Sequence, residues 1–143
     1  MNDSALLYPV LAMVLLTAIV ALVLLARRIG EMKARRIRPQ AVAASRDMAS
    51  MLDDHRASDN FRNLFEAPVL FYVAMLAGIT VHAASAWIVA LAWLFVELRY
   101  AHSYVHCTYN RVMHRFKVYC ASMPVLFAIW GTLAWRLLQA ARA

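Results

Sequence analysis

The sequence predicts an all-α integral membrane protein, a four-helix bundle made of four membrane-spanning segments. Two observations lead to this prediction. The chain of 143 residues is 64% hydrophobic and only 16% charged, whereas soluble domains draw about a quarter of their residues from Asp, Glu, Lys and Arg. Its apolar residues also form long runs, and a spanning helix takes about 20 residues. Four spans and their connections use up the 143 residues, which excludes a separate soluble catalytic domain within them.

The first two predicted spans enclose a basic loop. Residues 5–26 carry no charged side chain and form span one, and residues 64–82 form span two, which is apolar except for Glu66. Between them, residues 27–62 hold nine Lys and Arg against five Asp and Glu. Because Lys and Arg accumulate on the cytoplasmic side of membrane proteins, we predict that residues 27–62 form a cytoplasmic loop.

The last two spans are predicted at residues 85–106 and 118–138. An uncharged turn precedes span three, and a basic turn with Arg111, Arg115 and Lys117 separates it from span four. Both basic connections then lie on one side of the membrane, which places both chain termini on the non-cytoplasmic side. Topology and anionic lipid headgroups therefore account for the net charge of +7, and we expect no nucleic-acid partner.

Folding the four spans as successive antiparallel neighbours gathers polar side chains at the cytoplasmic boundary. Arginine dominates this edge, and its planar guanidinium binds carboxylates bidentately, so the edge suits an anionic ligand with carboxylates of its own. The alternative is that these arginines face lipid phosphates. The side chains concerned are Arg27, Arg28, Arg62, Asn63, Glu66, Arg99, Arg111 and Arg115.

One helical face of span three carries an acid and two phenols. At about 100° per residue, Glu97, Tyr100 and Tyr104 share a face with Arg111, provided that the helix continues that far. This face offers donors and acceptors to a small polar molecule. Alternatively, the tyrosines belong to the interfacial aromatic belt and Glu97 pairs with a neighbouring arginine.

The opposite face of span three carries Arg99, His102 and His106. Histidines at i and i+4 form a possible metal pair, with His114 one face over. A third ligand and an H-E-x-x-H motif are not evident. We therefore expect satisfied or interfacial histidines and no metal site.

The start of span two contains a capping motif that conflicts with a proline in the following turn. Asn63 and Glu66 fit an N-terminal capping box. Pro68 would then be the fifth helical residue and would remove a ladder hydrogen bond, so the helix either starts later or is kinked there. An acid one turn inside the boundary of a membrane helix is also a functional candidate.

The chain carries three motifs of interest, RNLFEAP at 62–68, RYAHSYVH at 99–106 and NR at 110–111. Together they resemble the MAPEG family, the membrane-associated proteins in eicosanoid and glutathione metabolism. The four-span hydropathy pattern and the cytoplasmic loop are similar to the family over nearly the whole chain. The resemblance implies a homotrimer that binds glutathione as cosubstrate between neighbouring subunits, with a lipophilic second substrate arriving from the membrane.

The resemblance also implies a set of site residues. The asparagine and glutamate of the first motif would hold the polar backbone of glutathione, and two tyrosines of span three would line the same pocket. The arginine after span three matches the one that family enzymes use to stabilise the thiolate, which is the nucleophilic form of a thiol. One of Arg27 or Arg28 would correspond to the basic residue that closes the first span. With the other arginines of the boundary included, the predicted glutathione-binding residues are Arg27, Arg28, Arg62, Asn63, Glu66, Arg99, Tyr100 and Tyr104, and the implied catalytic residue is Arg111.

Three functions are compatible with the sequence. The leading hypothesis is a membrane glutathione transferase or peroxidase that acts on a lipophilic electrophile. The second is a noncatalytic membrane protein that binds a lipid or a partner protein through the same groove. The third is a metal or haem redox bundle that uses His102, His106 and His114.

Overall fold

The computed structural model describes residues 2–44, 47 and 50–142, so part of the predicted loop, at 45–46 and 48–49, lies outside the described residues. The predicted all-α four-helix bundle is confirmed in the described part of the chain. Its elements are the 3₁₀ turn η1 (Asp3–Leu6), helix α1 (Leu7–Ala34), the 3₁₀ turn η2 (Pro39–Val42), and helices α2 (Arg56–Asn63), α3 (Ala67–Thr80), α4 (Ala86–Cys107) and α5 (Val112–Ala140). Helices α1, α3, α4 and α5 form the bundle, and the short α2 leads into α3.

Three segments of the described chain are long and apolar enough to cross a membrane: Asp3–Ala34, Arg56–Thr80 and Val112–Ala140. Helix α4 lies outside this group because Glu97 and Arg99, together with two histidines, lower its mean hydropathy. Its 22 residues still extend about 33 Å at about 1.5 Å per residue, the thickness of a bilayer core. The polar side chains that it buries in the bundle are Arg99, His102, Ser103 and His106.

The helical path breaks between α2 and α3. Asn63 is the last residue of α2, and Glu66 is the N-cap of α3 without a side-chain capping hydrogen bond. The predicted capping box is therefore wrong, and the helix starts later, which was one of the two outcomes expected from Pro68. Pro68 lies in the first turn of α3. Residues there have no intrahelical acceptor for their N–H groups, so the missing N–H of proline costs no hydrogen bond. The break brings the carbonyl group of Asn63 within reach of α4.

The four long helices pack as a ring in the order α1, α4, α5, α3. The helices of the second and third predicted spans, α3 and α4, thus lie diagonally across the bundle, which differs from the arrangement of successive neighbours predicted from the sequence. The five connecting residues 81–85 reach about 16 Å when extended, enough to cross the diagonal of a bundle whose neighbouring axes lie about 8–10 Å apart. Phe71 stacks on Phe95 across this diagonal, with ring centroids 4.8 Å apart.

Helix α4 ends at Cys107, and a short turn reverses the chain into α5. Asn110 takes the left-handed conformation in this turn (φ 47°), which asparagine tolerates better than most residues. Because the helix does not continue to Arg111, that arginine does not share a helical face with Glu97 and Tyr104. The predicted placement of Arg111 on this face required a helix that continues to residue 111, and α4 ends four residues earlier.

Candidate functional site

A cavity of about 210 Å³ opens at the end of the bundle where α4 ends and α3 and α5 begin. We call this the basic end, because it carries the arginines of the α1 terminus and of the α4–α5 turn. The wall of the cavity combines one carboxylate, one guanidinium, one imidazole and one phenol with apolar side chains. The lining residues are Asn63, Glu66, His102, Val112, Arg115, Phe116 and Tyr119.

A buried arginine lies directly behind this wall. Arg99 has no solvent-exposed surface, and its Nη2 donates to the carbonyl oxygen of Asn63 at 3.2 Å. Its guanidinium carbon lies 5.4 Å from the ring centroid of Tyr119, a cation–π distance. Its Nε and Nη1 find no hydrogen-bond acceptor among the residues that the structure describes. Two unmet donors on a buried cation favour an anionic ligand at this place, because leaving them unpaired is costly.

A second arginine is held on the cavity wall by two polar side chains. The Nη1 atom of Arg115 donates to Nε2 of His106 at 2.6 Å and to Oδ1 of Asn110 at 3.0 Å. The carbonyl oxygen of Arg115 accepts a hydrogen bond from Nδ1 of His102 at 3.2 Å. The turn before α5 and the buried face of α4 thus fix the position of this guanidinium.

The short helix α2 is fixed against α4 by a buried asparagine. Asn60 has no solvent-exposed surface; its Oδ1 accepts from Oγ of Ser103 at 3.3 Å, and its Nδ2 donates to Sγ of Cys107 at 3.4 Å. Asn63 follows one helical turn later. The side chain of Asn60 therefore sets the position of Asn63 at the cavity.

The predicted site residues occupy different places in the protomer. Asn63 and Glu66 line the cavity, with Arg99 behind its wall. The other predicted residues lie elsewhere, either bonded to another helix or exposed on the protomer surface. Tyr100 donates its hydroxyl to the carbonyl oxygen of Ala12 at 2.8 Å, Arg27 bonds to Asp54, Arg28 is half-buried, and Arg62, Tyr104 and Arg111 are exposed. Their assignment rests on a site between subunits and stays a prediction.

The sequence predicts no cavity role for His102 and Tyr119, and it places Arg115 at the cytoplasmic boundary without including it in the glutathione-binding set. His102 shares a face with Arg99 and His106, and that pattern predicts a satisfied or interfacial histidine. The spacing of Arg99, His102 and His106 at i, i+3 and i+7 in an apolar helix indicates a polar face inside the bundle. Ionisable residues within a membrane helix almost always face the bundle interior. Nothing in the sequence distinguishes Arg115 from Arg111, four residues away.

One carboxylate of the predicted cytoplasmic loop ties α1 and α2 to the end of α4. Asp54 accepts from Nη1 of Arg27 at 3.2 Å and from Nε and Nη2 of Arg56 at 2.9 and 3.1 Å. The two guanidiniums also donate to the carbonyl oxygens of Cys107 and Thr108, which are orphan acceptors at the negative end of the helix dipole. We call these five residues the Asp54 latch.

The Asp54 latch predicts an acid-sensitive contribution to stability. The hydrogen bonds from Arg56, together with the charge of Arg27, hold the pKa of Asp54 below its ordinary value. Because the pKa is lowered in the folded state, this contribution is present above the ordinary value of about 3.9 and is lost as the pH falls through the lower folded-state value. We expect Asp54→Asn to cost on the order of 1 kcal/mol at neutral pH, and the difference from wild type to close in acid.

Thermal denaturation in detergent across this pH range measures the effect. Asp53→Asn is the matched control, because the side chain of Asp53 is 87% exposed and is bonded to Arg35, outside the latch. A difference between wild type and Asp54→Asn that stays constant down to about pH 2 would contradict the role of the Asp54 carboxylate.

A second, larger cavity lies between α1 and the α2–α3 segment. This apolar groove has a volume of about 620 Å³. Its only hydroxyl-bearing side chains are those of Thr17 and Tyr72. The lining residues are Val10, Val14, Thr17, Ala18, Ala21, Phe61, Leu64, Phe65, Tyr72 and Leu76.

Within the described ranges, no group of three or more His, Cys, Asp or Glu side chains is placed to hold a metal ion.

Comparison with known proteins identifies the family to which the chain belongs. No curated protein and no solved structure matches the chain significantly. The model of the MAPEG family matches residues 6–135, a range that contains the apolar groove and every residue lining the cavity. The chain therefore belongs to the MAPEG family and is a multi-pass integral membrane protein.

Proposed function

We propose that the chain is a membrane glutathione transferase or peroxidase that binds glutathione as cosubstrate at the cavity of the basic end. Membership of the MAPEG family supports this function, because many members are glutathione transferases or peroxidases. The observation that carries the proposal is the buried guanidinium of Arg99, which has two donors without an acceptor among the described residues.

The chemistry of the cavity matches that of the tripeptide. Glutathione carries two carboxylates, one ammonium group and one thiol. Guanidiniums bind carboxylates through charge-assisted hydrogen bonds, which Arg99 and Arg115 supply at or directly behind the wall. Glu66 on the same wall is the natural partner of the ammonium group. Asn63 contributes an amide that can both donate and accept.

The size of the cavity supports a site shared between subunits. Its volume of about 210 Å³ is below the range of about 300–1,000 Å³ that small-molecule pockets usually have. Glu97 and Tyr104 are exposed on the outer face of α4, and a carboxylate within a membrane helix needs a polar partner. A neighbouring copy of the chain would supply this partner and enclose the remainder of glutathione. These points favour association of several copies of the chain, and the family resemblance implies that the assembly is a homotrimer.

The second substrate and the orientation complete the proposal. The apolar groove between α1 and α3 suits a lipophilic electrophile or hydroperoxide that arrives from the bilayer. With the basic end facing the cytoplasm, as the positive-inside rule favours, glutathione enters from that side and both termini lie on the other.

Two arginines compete for the place beside the glutathione sulfur. The resemblance assigns Arg111 to the thiolate, but Arg111 is exposed in the turn before α5. Arg115 lines the cavity and is held there by His106 and Asn110. We therefore propose Arg115 as the guanidinium that stabilises the thiolate within one protomer.

Glutathione is expected to stabilise the purified protein in detergent. A ligand that binds only the folded state adds about 2.7 kcal/mol at a concentration 100 times its dissociation constant, so the midpoint of thermal denaturation should rise with glutathione. S-methylglutathione should act equally, because it keeps both carboxylates and the ammonium group. Calorimetric titration measures the dissociation constants, and free glutamate at the same ionic strength is the control for nonspecific anion effects.

The noncatalytic alternative is favoured by one observation, the almost entirely apolar lining of the larger groove. A lipid acyl chain would fit there without any reaction. Copurification of a stoichiometric lipid, together with no stabilisation by glutathione and no conjugation of an aryl halide, would establish this alternative and refute the proposed enzyme.

A further inference from the structure

Two buried histidines of α4 have their ring protons fixed in opposite ways. Nδ1 of His102 lies 3.2 Å from the carbonyl oxygen of Arg115, and because a carbonyl only accepts, this nitrogen carries the proton. Nε2 of His106 lies 2.6 Å from Nη1 of Arg115, and because a guanidinium only donates, this nitrogen is the acceptor. In their neutral forms, His102 thus has a free acceptor at Nε2, and His106 has a free donor at Nδ1.

The free nitrogens of both rings are buried without a hydrogen-bond partner in the part of the chain that the structure describes. The rings are only 2% and 1% exposed, so solvent does not satisfy these atoms. An unpaired buried polar atom destabilises the folded protein, and a ligand with a complementary group removes this cost. His102 itself forms part of the cavity wall, whereas His106 does not line the cavity and lies behind His102 and Arg115.

We propose that Nε2 of His102 accepts the thiol proton of glutathione. This inference rests on the proposed glutathione-dependent function and adds the group that generates the nucleophile. The S–H bond breaks, its electron pair stays on sulfur, and the proton moves to Nε2 of His102. The resulting imidazolium keeps its Nδ1–H bond to the carbonyl oxygen of Arg115. The thiolate then attacks the electrophile, the leaving group departs with the electron pair of its bond to carbon, and the proton of His102 leaves the cavity with the departing anion.

The surroundings of His102 explain why its imidazolium is stable only while the thiolate of glutathione lies beside it. The charged and titratable groups that face the ring are Arg99 and His106 on its own helix, Arg115 and Tyr119 on α5, and Glu66 before α3. Two of these groups are guanidiniums, which repel an imidazolium in the absence of a ligand. A thiolate beside His102 offsets this repulsion, because it forms an ion pair with the imidazolium and with Arg115 at once.

His102→Gln tests the proposal, because glutamine preserves the approximate size and polarity of the ring but takes up no proton at neutral pH. We expect kcat for conjugation of an aryl halide to fall about 100-fold at neutral pH, the usual contribution of a general base. Affinity for S-methylglutathione, which has no thiol proton, should stay within about threefold. The ultraviolet absorption of bound thiolate should weaken at neutral pH, and both this absorption and the rate should recover as the pH rises.

His106→Gln is the matched control, since it removes a second buried histidine whose Nε2 is already occupied by Arg115. This variant should lower the rate through a less ordered Arg115 and keep the wild-type pH profile. His114→Gln, at an exposed position, should leave the rate unchanged. His102→Asn serves as a second variant if His102→Gln does not fold, with size-exclusion chromatography and thermal denaturation in detergent as the checks of folding.

The outcomes test two separate claims, the role of His102 as proton acceptor and the binding of glutathione. A wild-type thiolate signal and rate in His102→Gln would overturn the role of His102 as proton acceptor. Loss of S-methylglutathione binding in folded His102→Gln would overturn it as well, because the residue would then act in binding. Failure of the wild-type protein to bind S-methylglutathione would instead overturn the proposed function.

Discussion

Replacing Arg115 with alanine (Arg115→Ala) is expected to lower the rate of glutathione conjugation about 100-fold, in the range found when one donor to a developing anion is removed. The variant removes a guanidinium from the cavity wall and leaves Nε2 of His106 and Oδ1 of Asn110 without their donor. A guanidinium that lowers a thiol pKa by one or two units contributes roughly 1.4 to 2.7 kcal/mol, which corresponds to much of this loss. Arg115→Lys should fall between alanine and wild type, because it keeps the charge but loses the planar fork.

Arg111→Ala is the matched control for Arg115→Ala, since it removes the same side chain four residues away at an exposed position. Conjugation of a generic aryl halide with glutathione measures the rates, and size-exclusion chromatography in detergent checks that the assembly is intact. We expect Arg111→Ala to retain most of the activity. The reverse order of effects would assign the thiolate to Arg111, reached across a subunit interface as the family resemblance implies, and would remove Arg115 from this role.

Phe71→Ala is expected to cause the largest loss of stability, about 2–4 kcal/mol. Phe71 and Phe95 are both fully buried, and their stacked rings fill the centre of the bundle between the diagonal helices. Truncation leaves a void that the helices on the ring cannot close without moving inward. In a membrane the unfolded reference state keeps its helices in lipid, so the loss comes from packing contacts more than from transfer out of water.

Denaturant titration in mixed micelles measures the free energy of unfolding of this variant. Phe127→Ala is the control, because Phe127 on α5 is 63% exposed in the protomer; its loss should stay within about 0.5 kcal/mol. Equal losses for Phe71→Ala and Phe127→Ala would contradict the central role of the stacked pair.

The fold was predictable from the sequence because apolar runs and charge asymmetry report directly on the bilayer. Uncharged residues 5–26 mark α1 well, but α1 continues past Arg27 to Ala34, since arginine and lysine favour helix as much as leucine does. The diagonal placement of α3 and α4 was not predictable. A five-residue turn is compatible with adjacent or diagonal helices, and the choice depends on how Phe71 and Phe95 fill the core.

The candidate site was predictable only in part. Asn63 and Glu66 were found because a break in an apolar segment is visible in the sequence, and both line the cavity. The cavity roles of His102 and Arg115 could not be predicted, although Arg115 was expected at the cytoplasmic boundary, because these roles depend on which neighbours satisfy their polar atoms. That information exists only once α4 and α5 are packed together. The role of Tyr104 depends on a neighbouring subunit and stays a prediction. The comparison of Arg111→Ala with Arg115→Ala decides which of the two arginines lies beside the thiolate.

The Asp54 latch has a consequence for genetic studies of this protein. Substitutions in the loop at Asp54 or Arg56 would displace the carbonyl groups of Cys107 and Thr108, and Asn110, two residues further on, holds Arg115. Under the proposed function, a loss-of-function allele at Asp54 or Arg56 would therefore act through the position of Arg115, even when insertion into the bilayer and abundance are normal. Screens that score only expression level would miss such alleles.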